Sequence, residues 1–91
     1  MVKRYQLKIY GKVQGVYYRA STKQRADQLK LAGFVRNEPD GSVYAEVEGT
    51  APLLRQMIEW CEQGPMMAHV TEVQVNSIDP TGEKEFLIIR K

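Results

Sequence analysis

The sequence contains few of the residues that indicate a disulfide-stabilised or metal-binding protein. It has one cysteine, Cys61, and one histidine, His69, among 91 residues. A single cysteine cannot form an internal disulfide bond, which excludes a secreted disulfide framework. His69 has no cluster of cysteine or acidic residues around it at the spacing of known metal sites or catalytic triads. We therefore predict no metal site.

Long hydrophobic runs and a strong net charge are also absent. The longest run of aliphatic or aromatic residues is Phe86–Ile89, which is too short to span a membrane. Thirteen Lys and Arg against 11 Asp and Glu give a net charge of +2, with the two signs interspersed, which does not indicate nucleic-acid binding. The N-terminus is charged and lacks an apolar segment behind it, so we predict no signal peptide and a cytoplasmic protein.

What the sequence does contain is typical of one small folded domain. Hydrophobic residues make up 43% of the chain and charged residues 26%, ordinary values for a globular protein. A mass of 10.4 kDa corresponds to a folded surface of about 5,400 Å², which fits a single core. We therefore predict that residues 1–91 form one domain, and we expect it to be monomeric.

Residue periodicity predicts the element order β-α-β-β-α-β with a short final strand. Alternating apolar residues predict strands at 4–10, 34–37, 42–48, 69–78 and 85–90. Val70 is out of phase with Val73 and Val75, which indicates a bulge or an earlier strand start.

Two helices are predicted from their apolar stripes. A stretch without glycine or proline predicts a helix over 19–31, stopped by Gly33, with a thin stripe of Thr22, Ala26 and Leu29. A second helix begins near Thr50 as N-cap and ends at Gly64; its stripe comprises Leu53, Leu54, Met57, Ile58 and Cys61. We predict Cys61 to be a core residue, and Trp60, Met66 and Met67 to pack around the helix end.

The fold class follows from this order. Two helices with modest apolar stripes must together cover one face of an antiparallel sheet. We predict an α+β fold of the ferredoxin-like sandwich type, with both helices on the same face.

The segment from Gly11 to Arg19 is the strongest candidate for a binding site. It leads from a strand into a helix, where the first backbone N–H groups have no intrahelical partner and the helix dipole adds partial positive charge. Arg19 adds a permanently charged planar fork suited to phosphate. The pattern alone leaves open a plain turn with a solvated arginine, and it also leaves Asn37 as an ordinary turn residue.

Three segments resemble the acylphosphatase family. Gly11-Lys12-Val13-Gln14-Gly15-Val16-Tyr17-Tyr18-Arg19 is similar to its G-x-V-Q-G-V-x-[FY]-R signature. The second signature corresponds to Gly33-Phe34-Val35-Arg36-Asn37 followed by Gly41-Ser42-Val43, and Gly64-Pro65-Met66-Met67-Ala68-His69-Val70 is similar to the family's G-P-x-x-A-x-V stretch. The resemblance spans nearly the whole chain.

The resemblance implies hydrolysis of acyl phosphates to a carboxylate and inorganic phosphate, without metal or cofactor. The family's catalytic arginine and asparagine correspond to Arg19 and Asn37. Its phosphate-binding segment corresponds to the backbone amides of Gln14, Gly15, Val16, Tyr17, Tyr18 and Arg19. Tyr18 stands where many members have phenylalanine, so its hydroxyl needs a partner or contact with solvent. The bulky Tyr17 is expected to narrow access or to touch the acyl group.

Two other functions are alternatives to the hydrolysis of acyl phosphates. The element order is shared with RNA-recognition modules, but Glu46 and Glu48 on the third strand would repel a phosphate backbone, so we predict no nucleic-acid partner. A domain that binds phosphate without turning over a substrate is the second alternative. The expected partners are a small-molecule acyl phosphate and inorganic phosphate, with no membrane association.

Overall fold

The computed structural model describes residues 1–90, which form five strands and two helices. In chain order these are β1 Val2–Lys12, α1 Tyr18–Gln28, β2 Ala32–Asn37, β3 Val43–Thr50, α2 Ala51–Gln63, β4 His69–Ile78 and β5 Phe86–Ile89. The predicted element order is confirmed. None of the helices in this part of the chain is long and apolar enough to cross a lipid bilayer.

The strands form one sheet in the order β4-β1-β3-β2-β5. The first four strands pair antiparallel, as predicted for the ferredoxin-like sandwich. The final strand differs, because β5 pairs parallel with β2 and makes the whole sheet mixed. The last residue of β4 and the first residue of β2 lie at the same end of the strands. A short connection from β4 therefore starts β5 at that end, so β5 runs in the same direction as β2.

Both helices cover the same face of the sheet and bury their predicted stripes. Thr22 and Ala26 of α1 and Leu29 at its C-cap are buried, and so are Leu54, Met57 and Cys61 of α2. Leu53 and Ile58 pack against this core while partly exposed. Burial raises the pKa of the Cys61 thiol to about 12, so the thiol stays neutral and serves as a core residue, as predicted.

The predicted end of α1 is wrong. The helix ends at Gln28, and Lys30 takes the left-handed conformation with φ 58° that a glycine often supplies. Leu31 N–H then bonds to Ala26 O at 2.9 Å and completes the termination. Gly33 lies inside β2 instead, where a Cβ would sit 1.9 Å from Glu46 O, so glycine is required for the close approach of β3.

Three further predictions concern β4 and the end of α2. The predicted bulge is confirmed, since the β1–β4 register skips one residue of β4 between Glu72 and Val70. The expected packing of Met66 and Met67 is wrong, because their exposed fractions are 98% and 65%. Trp60 packs against the core as predicted.

Candidate active site

Two buried valines anchor the segment between β1 and α1. Val13 and Val16 are buried, while Gly15 and Tyr17 are exposed. Gly15 and Tyr17 have positive φ values of 74° and 64°. Left-handed residues in such a loop turn successive N–H groups toward a common point, which suits an anion.

The N-terminus of α1 lacks a capping side chain. Tyr17 occupies the N-cap position, and its side chain makes no hydrogen bond to the first turn. The first intrahelical bond runs from Ser21 N–H to Tyr17 O at 3.0 Å. The earlier N–H groups are therefore left for a ligand, and the helix dipole favours a negative one.

Tyr18 fixes the start of α1 against the end of α2. Its ring lies 5.6 Å from the Trp60 ring, and its hydroxyl donates to Cys61 O at 2.6 Å. Burial raises the pKa of Tyr18, so the hydroxyl stays protonated and keeps donating. The hydroxyl of Tyr18 therefore has a protein partner. This partner is a carbonyl in the last turn of α2, where carbonyl groups lack intrahelical donors.

Replacing Tyr18 with phenylalanine is expected to lower the free energy of unfolding by about 1–2 kcal/mol, because Cys61 O loses its donor. The ring and its packing against Trp60 remain. Urea unfolding checks the loss, and Tyr17→Phe is the control because its exposed side chain supports nothing in the core. An unchanged midpoint in Tyr18→Phe would show that the hydroxyl does not contribute.

Asn37 ends β2 and faces Val43 at the start of the tight turn of the hairpin. Its side-chain oxygen is shielded from solvent and has no hydrogen-bond partner in residues 1–90. The turn itself is well bonded: Gly41 N–H donates to Glu38 O, and Asp40 accepts from the backbone and side chain of Ser42. These bonds from Ser42, with Lys8 nearby, lower the pKa of Asp40 to about 2. Asn37 therefore projects from a rigid support.

The structure brings Arg19 and Asn37 to the same place. Two adjoining clefts meet there, and both are lined by Arg19, Asn37 and Arg90. Of the other predicted residues, Gly15, Tyr17 and Tyr18 line the first cleft and Gln14 lines the second. The Val16 side chain points into the core, so only its backbone amide could serve a ligand.

Arg90 is a residue of this site that the sequence did not reveal. The parallel register pairs Arg36 with Ile89, which puts Arg90 beside Asn37 at the ends of β2 and β5. Alternation along the two strands then directs both side chains to the helix-covered face, where Arg19 lies. The final strand was predicted, but its neighbour in the sheet was not, and no local pattern carries that information.

The electrostatics of the clefts favour an anion. Arg19 and Arg90 form no ion pair within residues 1–90, and Glu38, the acid that lines the second cleft, is paired with Arg36 at 2.8 Å. Across these same residues no group of three or more His, Cys, Asp or Glu is arranged to hold a metal ion. Free helix N–H groups and arginine are a donor set for a phosphate or another oxyanion.

Fold and candidate site together define a class: a small α+β domain with unpaired N–H groups and an arginine at the N-terminus of its first helix. The family model for acylphosphatase matches residues 5–88, and the chain belongs to the acylphosphatase family. The chain is 49% identical over 82 residues to the acylphosphatase of Marinobacter nauticus, covering 90% of this chain and 89% of that one. The family predicted from the two signatures is confirmed, and with it an enzyme that hydrolyses acyl phosphates.

Solved structures agree. The crystal structure of acylphosphatase from Bacillus subtilis superposes with a TM-score of 0.93 at 33% identity, covering 99% of this chain and 100% of that one. Full-length HypF in its phosphate- and nucleotide-bound form contains a similar domain, with a TM-score of 0.88 and 27% identity. The match covers 99% of this chain and 12% of HypF. The domain therefore occurs both alone and within a larger protein.

Proposed function

We propose that the acyl phosphate is hydrolysed in the two adjoining clefts, with Arg19 and Asn37 as catalytic residues. The observation that supports this most is the meeting of Arg19, Asn37 and the free N–H groups of α1 at one point of the surface. These groups come from two segments that are 18 residues apart in the chain (37 − 19). A surface arginine in a plain turn would need no such neighbours.

The phosphoryl group is held by the backbone amides of residues 14–19 and by the guanidinium of Arg19. The amides and the guanidinium together stabilise the negative charge on the phosphoryl oxygens, and they need no reorganisation during the reaction. This arrangement also fixes the orientation of the phosphoryl group relative to the attacking water, which supplies much of the rate in phosphoryl transfer.

Asn37 orients the attacking water. Its amide offers both a donor and an acceptor. The water oxygen forms a bond to phosphorus while the bond from phosphorus to the acyl oxygen breaks, and the electron pair leaves with the carboxylate. A phosphoryl oxygen takes the proton of the water. Because a carboxylate is a good leaving group, neither a general acid nor a strong protein base is needed.

Tyr17 contacts the acyl part of the substrate in this proposal. Its side chain is 81% exposed and lines the first cleft next to Arg19. A tyrosine in the left-handed region costs about 1 kcal/mol, and such strain is common at functional sites. A monomeric state and a cytoplasmic location stay predictions.

An RNA-binding surface has no comparable support. On the open face of the sheet, the guanidinium of Arg36 lies 4.8 Å from the Tyr44 ring centre. The Tyr44 hydroxyl donates to Glu46 at 2.7 Å. The ring that a nucleobase would stack on is already covered by a side chain of the protein.

A phosphate-release assay on several acyl phosphates tests the proposal. Acetyl phosphate and benzoyl phosphate are expected to be cleaved, and p-nitrophenyl phosphate, a monoester, is the control that is expected to survive because its leaving group is poorer. Titration calorimetry with inorganic phosphate accompanies the assay. Binding of phosphate without hydrolysis of either anhydride would favour the binding-only alternative.

Replacing Asn37 with alanine is expected to lower kcat at least about 10²-fold, because the water loses its orienting group. KM and inhibition by inorganic phosphate are expected to change little, since the amides and Arg19 remain. Steady-state hydrolysis of benzoyl phosphate separates these effects. Asn76→Ala, on β4, is the matched control, and near-normal kcat in Asn37→Ala would remove Asn37 from the mechanism.

A further inference from the structure

We infer that Gln14 is a positioning residue for the hydrolysis proposed above, acting through its side-chain amide. The inference rests on that proposed function. The Gln14 side chain does not point at the place assigned to the phosphoryl group. Its Nε2 donates to Glu38 O and to Ser42 O, both at 2.8 Å. Since both partners only accept, the amide must face them with its NH2 group, and both of its donors are used.

The two carbonyls are those that close the turn after Asn37. Glu38 O also accepts from Gly41 N–H at 3.1 Å, and Ser42 O accepts from Glu38 N–H at 2.9 Å. A carbonyl oxygen can accept two hydrogen bonds, so Gln14 occupies the second position on each. One side chain therefore ties the segment before α1 to both ends of this turn.

This link joins the two halves of the proposed active site. Arg19 and the binding amides belong to the Gln14–Arg19 segment, whereas Asn37 belongs to the hairpin. The reaction needs the phosphoryl group from one half and the water from the other to be in line, and a misplacement of about 1 Å can cost about 10²-fold in rate. The side-chain amide of Gln14 sets the distance between the two halves without touching substrate or water.

Gln14→Met tests the link, because methionine has a similar length and no donor. We expect kcat for benzoyl phosphate to fall about 10-fold or more, while inhibition by inorganic phosphate changes less than about 3-fold. Phosphate binding is retained because the amides and Arg19 stay on one segment. Far-UV circular dichroism and urea unfolding give the folded fraction under the assay conditions.

Gln14→Glu adds a signature that a loss of packing would not produce. A carboxylate cannot donate, so kcat at neutral pH is expected to fall at least as far as in Gln14→Met. The two facing carbonyl oxygens favour the protonated form of the introduced carboxyl, whereas Arg19, Arg36 and Arg90 along the same cleft favour its ionised form, and the usual pKa of such a carboxyl is about 4.3. Below about pH 5 the protonated carboxyl donates to one carbonyl, and kcat relative to wild type is expected to rise.

The control variants isolate this effect. The carboxylates of Glu38, paired with Arg36, and Asp40, paired with Lys8, lie near the turn, but wild type and Gln14→Met contain them as well, so their effects on kcat cancel in the ratio. Gln56→Glu makes the same change on the exposed face of α2 and is expected to behave as wild type at each pH.

The outcomes separate the two hypotheses. A wild-type protein without hydrolysis would overturn the proposed function and this inference with it. An active wild type with unchanged kcat in Gln14→Met, or a fall that disappears after correction for the folded fraction, would overturn the inference alone. A pH-independent ratio for Gln14→Glu would also contradict it. A kcat loss with retained phosphate binding and acid recovery supports it.

Discussion

Arg19→Ala is expected to lower kcat/KM for benzoyl phosphate at least about 10²-fold, the scale of losing one preorganised donor to a developing charge. Arg19 is half-buried at the first turn of α1, and it forms no ion pair in residues 1–90. Its charge is therefore available to the phosphoryl oxygens. Loss of Arg19 removes both ground-state and transition-state contacts, so KM should rise as kcat falls.

Arg19→Lys distinguishes charge from geometry. Lysine keeps the positive charge and loses the planar fork that binds two phosphoryl oxygens at once. We expect its kcat/KM to lie between that of wild type and that of Arg19→Ala. Arg55→Ala removes an equal charge from the exposed face of α2 and is expected to have wild-type kinetics. Hydrolysis by Arg19→Ala at close to the wild-type rate would refute the assignment of the site.

The sequence predicted the half of the site that local patterns can carry. Gly15 and Arg19 lie in a strand-to-helix segment whose free N–H groups follow from helix geometry alone. Asn37 is different, because an asparagine before a tight turn is ordinary turn chemistry. Only its place in the second signature marked it as functional. The reason lies in the fold: Asn37 meets Arg19 through the position of β2 in the sheet, and no spacing in the chain encodes that meeting.

The unpredicted features depend on contacts between distant residues. Arg90 reaches the site because β5 is the parallel neighbour of β2, and alternation in the chain does not say which edge a last strand joins. Lys30 ended α1 where we expected Gly33 to do so, because hydrogen bonds from Lys30 N–H to Asp27 O and from Leu31 N–H to Ala26 O stabilise a left-handed lysine. Met66 was predicted to pack around the end of α2 because it is apolar, yet it is exposed. An apolar residue in a turn need not be buried in the core.

Arg4, the first residue of the strand predicted over 4–10, is 1% exposed although it is charged. Its guanidinium pairs with Glu46 at 2.8 Å, with Glu48 at 2.9 Å and with Glu83 at 3.0 Å. Glu48, 5% exposed, also accepts from the N–H groups of Thr81 at 2.8 Å and Gly82 at 2.9 Å. This cluster holds the connection between β4 and β5 on the sheet, and β5 leads to Arg90.

Arg4→Met is expected to lower the free energy of unfolding by about 3–5 kcal/mol, because it leaves two shielded carboxylates without their cation. Urea unfolding at pH 7 measures the loss. Lys3→Met, an exposed neighbour on β1, is the control and is expected to keep the wild-type midpoint. Arg4→Met combined with Glu48→Gln should be more stable than Arg4→Met alone, since the amide oxygen still accepts from Thr81 while one unpaired charge is gone.

The pH dependence of this difference supplies an independent test. Burial raises the pKa of Glu48, but hydrogen bonds from Thr81, Arg4 and Gly82 outweigh it, and the net shift is downward from 4.5. A carboxyl with a lowered folded-state pKa contributes stability above its unfolded pKa and loses it as the pH falls through the folded value. In Arg4→Met burial acts on Glu48 without the cation, so the Glu48 carboxylate takes up a proton more readily than in wild type. The stability gap between wild type and Arg4→Met should therefore be full at pH 7 and shrink as the pH falls through about 4.5, starting where the Glu48 carboxylate of Arg4→Met takes up its proton. A gap that stays constant on acidification would mean that Arg4 acts by packing alone.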